Sequence, residues 1–257
     1  MADLDINELI DQYGKKVYNL AFRITGSKAD AEDVSQETFM QVYQSLDSFK
    51  GKSDIYTWIY KIALNNCFKL KKKMSKAYVE SLDEKIEIFK DDIPEEVHEW
   101  YSNPEKAIYI NELLSEIRHG CLHFLSFRLP ENQRIVYVMR NILDFSYREI
   151  SEILGIGENV IKARLNRART NLVEFFSNRC QWLTEDSTCS CKSRIGFALA
   201  YDPEILKRVK EQAVEAGIVS RSDLEADYKQ SIDELYKKFP MIEYWGKDIL
   251  KEKISSF

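Results

Sequence analysis

From Ser146 to Leu172 the apolar positions fall into two helical stripes separated by a glycine, which predicts two helices joined by a tight turn. Ile150, Ile153 and Leu154 form the first stripe and stop at Gly155, a residue that takes left-handed backbone geometry at little cost. Ser146 followed by Glu149 reads as a capping box, in which the serine oxygen and the glutamate carboxylate satisfy backbone N–H groups that a helix start leaves free. Ile161, Leu165, Ala168 and Leu172 form the second stripe. Asn159, Ala163, Asn166 and Thr170 then point the opposite way, flanked by Lys162, Arg164, Arg167 and Arg169. No acidic residue lies between Asn159 and Val173, so this outward face suits a polyanion.

The same periodicity predicts a helix from Ile6 through Leu9, Ile10, Tyr13, Val17, Leu20, Ala21 and Ile24, ended by Gly26. The next helix, DAEDVSQETFMQVYQSL, has Asp30, Glu32, Asp33 and Glu37 near its start, where the macrodipole favours negative charge. Phe49 to Lys73 opens with a loop at Gly51 and Ser53. It then interleaves Tyr56, Trp58 and Tyr60 with Lys50, Lys52, Lys61 and Lys69. Aromatic faces among cations suit unpaired bases, while Trp58, Ile59, Ile62 and Ala63 are equally readable as a buried helix face.

From Glu80 to Glu99 nine acidic residues stand against Lys85 and Lys90 around Pro94, which predicts a flexible acidic linker over 78–102. Asn103 and Pro104 open a further helix carrying His119, Cys121 and His123. Beyond Phe176 come Cys180, Cys189 and Cys191, and then Asp202 and Pro203 cap a helix ending before Gly217. Ser222 with Glu225 caps another, striped by Leu224, Tyr228, Ile232, Leu235 and Phe239 and ended by Pro240. The last segment has Tyr244, Trp245, Ile249, Leu250, Ile254 and Phe257, apolar surface that calls for a partner.

Composition narrows the picture. The chain has 257 residues and room for about two domains, and nine glycines with five prolines favour an all-α fold. Its net charge of −5 confines any basic surface to a local patch. No apolar run approaches a membrane span and Met1 to Asn19 lacks the pattern of a signal peptide, so a cytoplasmic location without membrane insertion is expected. No phosphate loop or nucleophile-and-base motif is present, which argues against an enzyme.

SYREISEILGIGENVIKARLNRAR, with LPENQRIVYVMRN before it, resembles the promoter-reading C-terminal domain of bacterial extracytoplasmic-function (ECF) sigma factors of the sigma-70 family. DAEDVSQETF resembles that family's segment docking on the polymerase clamp helices, and FxGxSxxxTWxYxIAxN its segment capturing melted −10 DNA. The resemblance covers residues 1 to about 176. It implies domains at 1–77 (sigma2-like), 78–102 (linker threading the RNA channel), 103–176 (sigma4-like helix-turn-helix) and 177–257 (cysteine segment and helical regulatory extension). It implies polymerase docking through Asp30, Glu32, Asp33, Gln36, Glu37 and Phe39, and a −10 site lined or supported by Lys52, Ser53, Thr57, Trp58 and Asn65. The −35 element falls to Asn159, Lys162, Ala163, Arg164, Asn166, Arg167 and Arg169. The implied partners are core RNA polymerase, promoter DNA and an anti-sigma factor.

The cysteines add a metal expectation. Cys180, Cys189 and Cys191 supply three thiolates, with Cys121, His119 or His123 as the fourth ligand of a zinc or copper ion. Some ECF sigma factors with extended tails have a similar cysteine and CxC, although here Thr188 stands where a proline is expected. The rival readings are a free-standing helix-turn-helix regulator and a metal or redox sensor acting without polymerase docking.

Overall fold

The computed structural model describes residues 5–51, 53–70, 92–177, 179–181, 184, 187, 189–216 and 247–255. Several expectations lie outside these residues: Lys52, Lys71 to Lys73, the acidic stretch up to Asp91, the Ser222/Glu225 cap with its stripe, and Tyr244, Trp245 and Phe257. The chain forms two compact units. One holds Met1–Ser75, Leu129–Arg169 and Lys237–Phe257, and the other holds Lys76–Arg128 and Thr170–Tyr236.

The first unit is built on α1 (Ile6–Thr25), α2 (Lys28–Ser45) and α3 (Ile55–Leu70), which pack on one another. Asp5 caps α1 by accepting from the Asn7 N–H at 2.9 Å, and Gly26 ends it at φ 81°. Ser27 caps α2 by accepting from the Asp30 N–H at 3.2 Å. Ile10, Val17, Leu20, Ile24, Val34, Phe39, Val42, Ile59, Tyr60 and Ala63 fill the core between them. Inside it Asn66 donates to the Thr38 hydroxyl at 3.3 Å, so this buried amide keeps a partner.

Further along the chain come α6 (Glu131–Tyr137), continued by a π-type turn over Val138–Ile142, then α7 (Tyr147–Leu154) and the start of α8 (Glu158–Ser177). α7 packs on α3. Phe145, just ahead of α7, meets the Tyr60 ring edge-on at 4.8 Å and lies under Lys16 at 5.3 Å. Arg134, buried on α6, donates to the Ile24 carbonyl at 3.4 Å. The last described helix, α11 (Lys247–Ser255), packs against α1 and α2. Its Leu250 and Ile254 are buried and its Lys251 pairs with Asp11 at 2.7 Å. Leu250 and Ile254 therefore find their partner within the chain, each buried side chain contributing about 1.5–3 kcal/mol.

The second unit contains α4 (Glu95–Ser102), α5 (Ala107–Ser126), α9 (Ile195–Tyr201) and α10 (Ile205–Ala216). Val97, Trp100, Ile110, Leu113, Ile117, Ile195, Ile205 and Val209 form its core. Here the structure corrects the reading of 78–102 as linker throughout. Val97, Trp100 and Tyr101 make a short helical stripe that α5 buries, and Glu95 and Glu96 sit in the first turn where their charge favours the helix. A small number of large apolar residues outweighs the acidic composition. The helix after Asp202 is present as α10, with the Asp202 carboxylate accepting from the Glu204 N–H and paired with Arg208 at 2.7 Å.

Candidate nucleic-acid interface

The helix-turn-helix is built as its residues dictate. Glu149 N–H donates to Ser146 Oγ at 3.2 Å, and the Ser146 N–H donates to the Glu149 carboxylate at 2.6 Å. Gly155 ends α7 at φ 67° with its N–H on the Ser151 carbonyl, and the Ser151 hydroxyl closes the turn on the Ile156 carbonyl at 2.7 Å. A Cβ on Gly155 would meet nothing within 4 Å, so backbone conformation rather than space asks for glycine here. On α8, Ile161, Leu165, Ala168 and Leu172 are buried, while Asn159, Lys162, Ala163, Asn166, Arg167 and Thr170 are exposed. Arg164 and Arg169 are half-buried at the margins of that face. Lys162 pairs with Glu158 at 3.6 Å and lies over the Tyr147 ring at 5.2 Å. An exposed pair of this kind is weak, and phosphate can displace it.

The aromatic segment divides differently. Thr57 is fully buried, because it shares the core stripe of α3 with Tyr60, Leu64 and Cys67. Of the two expected roles, lining or supporting the −10 site, its burial fits the second. Trp58 is half-buried against Phe49, ring centroids 5.0 Å apart, Ser53 is half-buried, and Asn65 is exposed. Asp54 and Tyr56 stand close enough to Arg148, Glu149 and Glu152 of α7 to interact electrostatically. Burial is the main cause that raises the Tyr56 pKa, with these carboxylates adding to it.

On α2, Glu32, Asp33 and Glu37 are exposed, and Asp30 and Gln36 are half-buried. Phe39 is another correction, since it is fully buried on the stripe Ala31, Val34, Ser35, Thr38 and Val42 that packs into the core. It shapes the helix from below and offers a partner no surface.

Among the described residues Cys121 lies within electrostatic reach of Cys180, Cys189 and Cys191. Burial, followed by the nearness of Cys189, Cys191 and Cys180, pushes the Cys121 thiol up, and Arg194 opposes the shift. The histidines are not part of this group. Two residues along a helix rotate by about 200°, so His119 and His123 point away from the Cys121 side, and His123 is buried against Phe127 at 5.2 Å. Sequence reasoning missed Arg194, whose Nε donates to Cys189 Sγ at 3.1 Å, and Phe145 with Arg134, which carry contacts across the first unit. No local pattern marks such long-range pairings.

Comparison with known proteins agrees with this geometry. Sigma-70 region 2 matches residues 9–76, and Sigma-70, region 4 matches residues 121–172. The chain is 31% identical over 169 residues to the ECF RNA polymerase sigma factor SigW of Bacillus subtilis (strain 168), covering 64% of this chain and 85% of that protein. It is 33% identical over 163 residues to the ECF RNA polymerase sigma-E factors of Salmonella typhimurium (strain LT2) and Escherichia coli (strain K12), covering 63% of this chain and 82% of each. An all-α chain with a capped helix-turn-helix and an acid-faced three-helix unit is of the sigma-70 class, and this one belongs to the ECF RNA polymerase sigma factor family. It binds core RNA polymerase and directs transcription initiation at promoters. Both family segments end before Cys180, Cys189 and Cys191. No described helix is long and apolar enough to cross a membrane.

Proposed function

We propose that promoter choice rests on the outward face of α8, where Asn159, Ala163, Asn166 and Arg167 meet base edges of the −35 element while Lys162, Arg164 and Arg169 hold phosphates. The observation that carries this reading is the sorting of the helix: its apolar stripe is buried and its amide and cationic residues are exposed or marginal. Amide and guanidinium groups at such positions match the donor and acceptor pattern of the major groove. Trp58, Ser53 and Asn65 with Lys52 take the unpaired −10 bases, positioned from beneath by Thr57. Glu32, Asp33 and Glu37, with Asp30 and Gln36 beside them, form the surface that docks on core polymerase.

The packing of α7 on α3 bears on how the two readings combine. Reading two separate promoter elements at once requires α7 to leave α3 and Phe145 to leave Tyr60. An anti-sigma factor fits as a regulatory partner because it can hold such a closed form or cover the exposed α2 and α8 faces. The role is non-enzymatic, and its compartment is the cytoplasm, where promoter DNA and polymerase meet.

The test is reconstitution. Purified core enzyme with this chain should give a run-off transcript at its promoter, and the double reversal Glu32→Lys with Asp33→Lys should abolish copurification with core enzyme while leaving helicity unchanged. Undiminished copurification of the folded double variant rejects the α2 assignment.

A further inference from the structure

We propose that Cys121, Cys180, Cys189 and Cys191 form a four-thiolate site for a Zn²⁺ ion, which ties the loop after α8 to helix α5. The site lies within the second unit and outside the segments that match the sigma-70 regions 2 and 4, apart from Cys121. Its ligands come from places far apart in the chain. Cys121 is on α5, one helical turn beyond Ile117 and so on the same side of the helix, and Cys191 packs against the core cluster that contains Ile117. Cys180 and Cys189 are joined by an isolated parallel backbone bridge. In it the Cys189 N–H donates to the Arg179 carbonyl at 3.2 Å, and the Gln181 N–H donates to the Cys189 carbonyl at 3.1 Å. This bridge sets Cys180 and Cys189 on adjacent backbone segments. None of the four cysteines is in a disulfide.

Arg194 Nε donates to Cys189 Sγ at 3.1 Å, which places a cation beside the sulfur set. A Zn²⁺ ion held by four thiolates carries a net negative charge, and Arg194 is placed to balance it. The four donors match the closed tetrahedral coordination of structural zinc, and a soft sulfur set excludes the hard cations that prefer oxygen. Among the described residues no group of three or more His, Cys, Asp or Glu side chains is already set to hold an ion. Binding therefore includes drawing the four sulfurs together, and its free energy appears as added stability of this unit.

The experiment needs neither polymerase nor promoter, so its result stands apart from the reading of α2 and α8. Full-length chain purified without added metal or chelator is analysed for zinc, then stripped and titrated with Zn²⁺ and, separately, with Co²⁺. About one equivalent of zinc is expected, with the ligand-field and charge-transfer bands of tetrahedral cobalt thiolate. Cys121→Ser and the pair Cys189→Ser with Cys191→Ser should each lower affinity by tenfold or more, whereas His119→Ala should retain the ion. Circular dichroism checks that each variant is folded, and the cobalt spectrum of the unaltered chain is independent of any variant. The proposal is overturned by reduced chain that takes up no Zn²⁺, by undiminished binding in Cys121→Ser, by uptake of Cu(I) but not Zn²⁺, or by a disulfide among the four cysteines with no ion.

Discussion

Helices α8 and α3 invite the same description, cationic and polar side chains on a helix assigned to nucleic acid, yet the structure builds them in opposite ways. On α8 the residues that hold the fold and those available to DNA lie on different faces: Ile161, Leu165, Ala168 and Leu172 inward, Asn159, Ala163, Asn166 and Thr170 outward. On α3 the two sets are interleaved. Thr57, Ile59 and Tyr60 belong to the core, Trp58 packs at a tilt on Phe49, and Asn65 is the exposed one of the side chains assigned on this helix. A face with separate duties can be altered for recognition at little cost in stability. A face with shared duties cannot.

The largest effect should come from Tyr60, which is enclosed by α1, α3 and Phe145. Tyr60→Ala should destabilise the fold by about 3–5 kcal/mol through the cavity it leaves, read by denaturant unfolding. Because the Tyr60 hydroxyl is buried with no hydrogen-bond partner among the described residues, Tyr60→Phe should be near neutral or stabilising. A strongly destabilised phenylalanine variant would show that the hydroxyl has a partner and would blur the contrast.

Recognition should break next. Asn166→Ala and Arg167→Ala should each weaken binding to the promoter by about 1–3 kcal/mol while changing unfolding free energy by less than about 0.5 kcal/mol. Equal losses on promoter and random DNA would remove these residues from base reading. Below these in size is the cap. Ser146→Ala deletes the acceptor of the Glu149 N–H and should cost about 1 kcal/mol of stability, measured by thermal or denaturant unfolding.

The finest distinction separates base contacts from phosphate contacts on α8 itself. Arg164→Ala should reduce affinity for all sequences alike and lower the slope of log K against log salt by about 0.9, the loss of one phosphate contact. A change confined to the promoter sequence would place Arg164 on a base instead.

Much of this was legible along the chain because it is local. The capping box at Ser146 and Glu149, the stop at Gly155 and the buried and outward stripes of α8 depend on residues within a few turns of one another, and spacing carries that information. The two assigned residues that lie in the core share one cause. Phe39 and Thr57 occur in motifs that resemble binding segments, but a motif does not say which member faces in, and on both helices the core stripe claims it. The acidic stretch before Asn103 failed for the opposite reason. Its composition describes a solvated tether, while Val97, Trp100 and Tyr101 are few and are buried only because α5 presents an apolar face to them.

By itself the sequence determined the all-α class, the order of the family segments, the helix-turn-helix with its polar face, and the presence of cysteines just past the second domain. Local hydrogen bonding and helical period suffice for these. Only the tertiary structure decided that α5 shares a core with α9 and α10, that the tail helix α11 lies on α1 and α2, and that Cys121 comes within electrostatic reach of the other three cysteines. Such pairings join residues separated by dozens to hundreds of positions. They are chosen by which apolar faces remain to be buried once each helix has formed, a property of the whole chain that no local spacing records.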